Sequence, residues 1–233
     1  MNKILQEASL KFGINLTDDM DLRFSLYAKQ LVEINKVMNL TAITDIDEIY
    51  TKHFVDSFSC QSLIPQNSSV IDVGTGAGFP GIPLYIVRPD MKLTLLDSLG
   101  KRVNFLNEIL SLLNLDDAKA YHMRAEDGGQ NKNMREMFDV SVSRAVAPLA
   151  VLCEYCLPFV KVGGCFLALK GRDANTEVLE GEKAIISLGG EAEEIQELFW
   201  KDMKHRVVVI RKVCKTPSMY PRKAGKPSKE PII

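Results

Sequence analysis

Between Asp72 and Gly81 the chain reads DVGTGAGFPG, with Gly74, Gly76, Gly78 and Gly81 crowded into eight positions directly after an apolar run. Glycine at this density lets backbone approach a ligand closely and adopt turns that a side chain would forbid. A second acid, Asp97, follows about twenty residues on. Residues 76–81, GAGFPG, satisfy the GxGxxG spacing in which backbone N–H groups hold a dinucleotide pyrophosphate and a later acid holds the ribose. Shifted by two, the same stretch is Asp72-x-Gly74-x-Gly76-x-Gly78, an acid at a strand end leading three glycines, which is how S-adenosylmethionine sites are usually built.

Charge separates the two ligands. A pyrophosphate wants bare N–H groups at a positive helix terminus, and a carboxylate two residues before the loop repels it. S-adenosylmethionine carries no phosphate but has an ammonium, a carboxylate and a sulfonium, so Asp72 favours it. Asp97 serves either ligand, because a carboxylate accepts ribose hydroxyls in both. A nicotinamide oxidoreductase also wants a proton donor such as Tyr-x-x-x-Lys, and none is present near the loop. Pro80 suits the first turn of the following helix.

These residues need a sheet to hold them. The first sixty-odd residues read as helices: Thr17 with Asp18 and Asp19 forms an N-cap and acidic first turn, and Leu22, Leu26, Leu31 and Ile34 recur at near-helical spacing. A second helix is expected to start at Thr44 or Asp45 and to stop before Pro65. Then strand-like runs at 70–73, 93–96, 120–123, 138–142 and 165–169 alternate with helix candidates at 81–88, 100–113, 148–160 and 174–188. Strand and helix alternating at this pitch predict a parallel α/β sheet covered on both faces. Runs at 194–200 and 205–213 are joined too closely for a crossover and must pair antiparallel. The expected division is a helical segment at 1–64, a cofactor-binding domain at 65–215 and a basic tail at 216–233.

The formal net charge of −1 hides an asymmetry. Residues 201–233 carry ten Lys or Arg against Asp202 and Glu230, a local +8 that leaves −9 on the rest. A basic end of this kind is either a solvated tail or a surface for a polyanion. No signal peptide or membrane span is visible, and five cysteines, an odd number, fit a reducing compartment better than a disulfide framework, so the expected location is the cytoplasm. Cys153 and Cys156 form a CxxC without a second pair, and His53, His122 and His205 are scattered, so the two thiols read as core residues and no metal is expected.

The motifs DVGTGAGFPGIPL, LLDSLGKRVNFL, RAEDG, SRAVAPL and LALKGR, with MNLTAITD and KHFVDS upstream and YPRKAGKPSKEP downstream, resemble the bacterial small-subunit ribosomal RNA methyltransferase G family, also called glucose-inhibited division protein B. The resemblance spans residues 35–231. It implies a class I, Rossmann-like methyltransferase: a doubly wound sheet, mostly parallel with an antiparallel C-terminal strand, plus N-terminal helices. It implies methyl transfer from S-adenosylmethionine to N7 of guanine 527 in 16S rRNA, on a small ribosomal subunit or its precursor. Residue by residue it sets Gly74 and Phe79 against the cofactor, Ala125 and Glu126 beside adenine, and Arg144 near the methionine end or the target base. Asp97 stands where the family often has Glu. A binding module without catalysis is the rival from another class. No sequence feature points to a membrane or a protein partner, and a monomer is expected.

Arg144 ends the run DVSVS, at the ligand edge of a parallel sheet. Lys101 and Arg102 open a helix, where cations oppose the dipole, so they either meet phosphate or pair with an acid such as Asp97. His53 is a structural histidine, or else it touches RNA or the pocket rim. Asn39 and Thr41 read as a loop and cap, and only the resemblance suggests a site wall. Lys170 and Arg172, with Arg211, Lys212, Arg222, Lys223 and Lys226, are candidates for a basic rim that neutralises phosphates. Tyr220 either stacks on a base or packs.

Overall fold

The computed structural model describes residues 1–201 and 203–233, of 203 and 204 the backbone alone. Asn2 Oδ1 accepts the amides of Ile4 and Leu5 at the head of α1 (Lys3–Lys11), and Thr17 Oγ1 accepts that of Met20 at the head of α2 (Asp18–Met38). The acidic first turn of α2 complements its dipole, as expected. The buried face of α2 is Phe24, Tyr27, Ala28, Leu31 and Asn35, which corrects the row read from the leucines. Leu22 lies two positions before Phe24, roughly 200° around the helix, and is 57% exposed. Leu26 and Ile34 are partly buried against the core.

The second expected helix is interrupted. Asp45 caps α3 (Ile46–Glu48), a π-helical segment (Ile49–Val55) follows, and α4 (Asp56–Phe58) ends before a 3-10 turn (Gln61–Leu63). π-helical turns are rare and recur at functional sites. This one carries His53 and leads into Asp56, both of which meet the edge of the sheet.

The sheet is built from β1 (Ser69–Val73), α5 (Gly81–Val87), β2 (Lys92–Asp97), α6 (Gly100–Leu112), β3 (Lys119–His122), α7 (Ala125–Gln130), β4 (Phe138–Arg144), α8 (Leu149–Cys156), β5 (Val160–Lys170), α9 (Ala174–Ser187), β6 (Gly190–Trp200) and β7 (Met203–Lys212), with α10 (Lys226–Lys229) near the end of the chain. Strand order is β3-β2-β1-β4-β5-β7-β6. The first five strands are parallel, while β7 runs antiparallel to both β5 and β6. This is the doubly wound, mostly parallel sheet that the sequence predicts. The close pairing of the last two strands is also as read, with β7 folding back between β5 and β6.

The period of two in each strand splits the core into two layers. Val70, Leu93, Leu95, Val140, Val142 and Leu167 pack with Phe24, Tyr27, Leu31, Phe54 and Leu106 on one face. Ile71, Val73, Leu96, Phe166 and Ala168 pack with Leu152, Cys153, Cys156 and Ile185 on the other. Cys153 and Cys156 are fully buried free thiols, and burial pushes both up, so they behave as core residues. No helix among the described residues is long and apolar enough to cross a membrane.

Candidate functional site

The carboxyl ends of β1, β2 and β4 open onto a cleft of about 540 Å³, within the range of small-molecule pockets, roughly 300–1,000 Å³. β1 has β2 on one side and β4 on the other, so the cleft sits where the strand order reverses, the usual ligand crevice of open α/β sheets. The glycine loop forms its floor. Amides of Gly74 and Thr75 donate to Leu96 O at 2.8 and 3.2 Å, which ties the loop to β2. Gly76 adopts φ +61, and a Cβ there would meet nothing within 4 Å, so this residue presents bare backbone to the cleft. Gly78, at φ +101, faces away: a Cβ there would come within 2.5 Å of the Tyr27 hydroxyl.

Asp72 and Gly78, expected against the cofactor, therefore lie beneath the loop and do not line the cleft. Asp72 is completely buried, and its Oδ2 accepts Thr75 Oγ1 at 2.6 Å and the Gly81 amide at 2.8 Å. Burial pushes its carboxyl up to about 7, against the lowering pull of those two hydrogen bonds. Its work is to fix both ends of the loop. Tyr27 of α2 does the same from the other side by donating its hydroxyl to Ala77 O, so an N-terminal helix holds the glycine loop.

Asp97 lines the cleft, as read. Its Oδ2 accepts the Gly76 amide and its Oδ1 the Leu99 amide, both at 2.9 Å. A carboxylate has about four lone-pair sites, so two backbone bonds fix it while leaving capacity for ribose hydroxyls. Arg102 Nη1 stands 3.5 Å from Asp97 Oδ2, which is the acid-pair alternative for that cation. Gly74, Phe79, Ala125 and Glu126 line the same cleft.

Arg144 is brought here from the end of β4. Its Nη1 bonds Asp56 Oδ2 and donates to Lys52 O, its Nη2 lies 3.1 Å from His53 Nδ1, and its guanidinium carbon sits 5.1 Å from the Phe79 ring centroid. His53 stacks on Phe79 at 4.5 Å, and its Nε2 lies 2.8 Å from Thr41 Oγ1. Burial, and then Arg144, push His53 down to about 4. Arg144 only donates, so the neutral ring accepts at Nδ1 and donates from Nε2 to Thr41. The Asn35 side chain clamps both the amide and the carbonyl of Thr41, so the loop after α2 becomes a wall of the cleft.

Asp56 and His205 were not singled out as site residues from the sequence. Asp56 is 1% exposed, and His205 Nδ1 from β7 lies 2.8 Å from its Oδ1. Sequence positions 56, 144 and 205 are too far apart for any spacing rule to join them. Arg124, Val146, Gly225 and Ser228 also line the cleft from within the motifs RAEDG, SRAVAPL and YPRKAGKPSKEP, where none was singled out, and Tyr155 lines it with no local signal.

Several cations expected at an RNA rim are committed elsewhere. Lys170 Nζ bonds Glu177 and Ala147 O at 2.7 and 2.8 Å. Lys212 is fully buried, donates to Leu157 O and Thr216 Oγ1, and is pushed down to about 8 by burial. Arg211 pairs with Glu193. Arg222 forks onto Glu154, which is 1% exposed, and Tyr220 packs against the core. Lys101, Arg172 and Lys223 stay exposed, with no ion-pair partner among the described residues. Arg222→Ala is expected to lower unfolding free energy by about 3–5 kcal/mol, because it strands the buried Glu154. Lys223→Ala should stay within about 0.5 kcal/mol of the parent in the same urea titration.

The profile of the family described as rRNA small subunit methyltransferase G matches residues 21–207. The chain belongs to that family. An Acetivibrio thermocellus protein named ribosomal RNA small subunit methyltransferase G is 52% identical over 235 residues, covering 100% of this chain and 97% of that protein. A Desulforamulus reducens protein of the same name is 51% identical, covering 98% and 97%. Among solved structures, a putative S-adenosylmethionine-dependent methyltransferase from Methanococcus maripaludis superposes with a TM-score of 0.54 at 16% identity, over 81% of this chain and 93% of that one. Aeropyrum pernix fibrillarin, solved with natively bound S-adenosylmethionine, gives 0.52 at 13% identity over 66% and 72%. The chain is thus an S-adenosylmethionine-dependent rRNA methyltransferase on a class I fold. The donor set fits the cofactor: backbone at Gly76 with no side chain, and an anchored carboxylate at Asp97. Among the described residues no cluster of His, Cys, Asp and Glu is arranged to hold a metal ion.

Proposed function

We propose that this enzyme methylates N7 of one guanine in 16S rRNA, guanine 527 by family resemblance, by direct in-line transfer without a general base or a metal. The observation that carries the reading is the state of the ionisable side chains around the cleft. His53 is neutral and engaged at both ring nitrogens, Asp97 accepts two amides, and Glu126 accepts the Gly225 amide. Guanine N7 offers an in-plane lone pair with no proton to lose, so the reaction asks nothing of them as bases.

Bound in the cleft, S-adenosylmethionine supplies a methyl group on a sulfonium. Asp97 holds the ribose, Gly74 and Gly76 let backbone close on the ligand, Ala125 and Glu126 flank adenine, and Arg144 stands at the methionine end beside the incoming base. Orientation of two reactants can recover roughly 7–11 kcal/mol of barrier, and the fixed Asp56–Arg144–His53–Phe79 stack suits that task. Exposed Lys101, Arg124 and Arg172 are offered as phosphate contacts. The substrate is small-subunit rRNA, naked or in a particle, so the enzyme works in the cytoplasm.

The test is methyl transfer from labelled S-adenosylmethionine to 16S rRNA lacking its own modification, offered naked and in small-subunit particles, with the site mapped by cleavage at 7-methylguanine. Label at one guanine N7 is expected. Label on another atom or another base would overturn the N7 assignment.

A further inference from the structure

The family profile stops at residue 207, and the chain beyond it does something the charge pattern does not announce. Arg135 donates to the carbonyls of Thr216, Pro217 and Tyr220, and Arg222 is locked on Glu154. The strap that follows turns back onto α7 and α8. The Gly225 amide donates to Glu126 Oε1 at 2.8 Å, Pro227 is buried, and Ser228 Oγ lies 2.7 Å from the Tyr155 hydroxyl. Gly225 and Ser228 thereby become part of the cleft wall, next to Ala125, Glu126 and Tyr155. A solvated arm makes no such set of bonds.

We propose that residues 216–230 are a strap that completes the S-adenosylmethionine site at its adenine end and sets cofactor affinity, and that they are not an RNA-binding arm. The proposal rests on S-adenosylmethionine occupying this cleft. Its physical basis is enclosure. Small ligands are held by burying most of their surface in a pocket with a few fixed polar groups, and here the strap supplies one wall and fixes the Glu126 carboxylate through a backbone N–H. The positive charge of the chain end is then partly structural: Arg222 neutralises a buried acid, and Lys212 satisfies buried acceptors.

The decisive variant ends the chain after Lys223. It keeps the Arg222–Glu154 pair and the Arg135 clamp and removes the lip that lines the cleft, together with Ile232, which packs against the core, and the Ile233 carbonyl bonded by Lys183. Calorimetry with S-adenosylmethionine and with S-adenosylhomocysteine is expected to show an affinity loss of about tenfold or more, with cooperative ligand-free melting. On the intact chain, S-adenosylmethionine should slow amide exchange in residues 224–229. Unchanged exchange there overturns the proposal whether or not the shortened chain folds well. So does retained cofactor affinity in the shortened chain, and weaker binding to an rRNA fragment with a flatter salt dependence would then restore the RNA-arm reading. Asp97→Ala separates the two layers of inference. If it loses S-adenosylmethionine while the shortened chain keeps it, the strap falls and the cleft assignment stands. If neither variant changes affinity, the cleft assignment falls and the strap with it.

Discussion

Asp56→Ala should lower unfolding free energy by about 3–5 kcal/mol, because it leaves Arg144 without the carboxylate that its position depends on. Asp56 is 1% exposed and lies between Arg144 Nη1 and His205 Nδ1, so three distant parts of the chain meet on one acid. In the protein that remains folded, methyl transfer should fall more than cofactor affinity, since Asp97 and the glycine loop are untouched. A double-mutant cycle with Arg144→Met should give a coupling of roughly 0.5–3 kcal/mol. Additive losses would show that the two residues act separately. The same group gives a pH signature. Burial raises the Asp56 carboxyl, but His205 and Arg144 outweigh it and hold it below the usual value, while the bond to Asp56 raises His205. The Asp56 contribution is complete above its unfolded value of about 3.9 and is lost as pH falls through its lowered folded value. That of His205 is complete below about 6.5 and is lost as pH climbs through its raised value. Thermal midpoints of His205→Phe against the parent should therefore converge as pH rises above that window. A constant gap across pH would remove the histidine from the pair.

Gly76→Val should abolish measurable S-adenosylmethionine binding, a loss of about 100-fold or more, while the ligand-free protein still melts cooperatively. Gly76 sits at φ +61 with open space where a Cβ would go, so a side chain there starts into the cleft without its Cβ striking protein. The left-handed backbone adds roughly 1–2 kcal/mol of strain, less than the stability of an ordinary domain of about 5–15 kcal/mol. Gly78→Val is the contrast, because its Cβ would meet the Tyr27 hydroxyl at 2.5 Å and Ile82 at 2.6 Å, so the fold itself should suffer. Full cofactor affinity in Gly76→Val would show that the loop is not the cofactor floor.

Local pattern decided a good deal of this molecule. Alternation of apolar runs with helical stretches sufficed for the α/β sheet, because β1, β4 and most of β2 and β5 are buried on both faces, and such apolar runs survive in one dimension. The loop and Asp97 were legible for a related reason: a tight turn after a strand and an acid at the next strand end are set by neighbours in sequence. The acid at the head of the loop was legible as a site feature but not in its task, since only three-dimensional burial shows that Asp72 braces the turn from below.

What escaped the sequence depends on long-range meetings. The buried face of α2 follows its partners and not its leucines, and His53 is turned inward by a π-helical segment with no recognisable signature. Asp56, Arg144 and His205 converge from one helix and two strands. The basic end of the chain was the least legible of all. Net charge counts lysines and arginines without asking what they face, and here Arg222 and Lys212 face buried acceptors inside the protein. Composition fixed how much charge the tail carries; only the packing of the strap against α7 and α8 decided where that charge is spent.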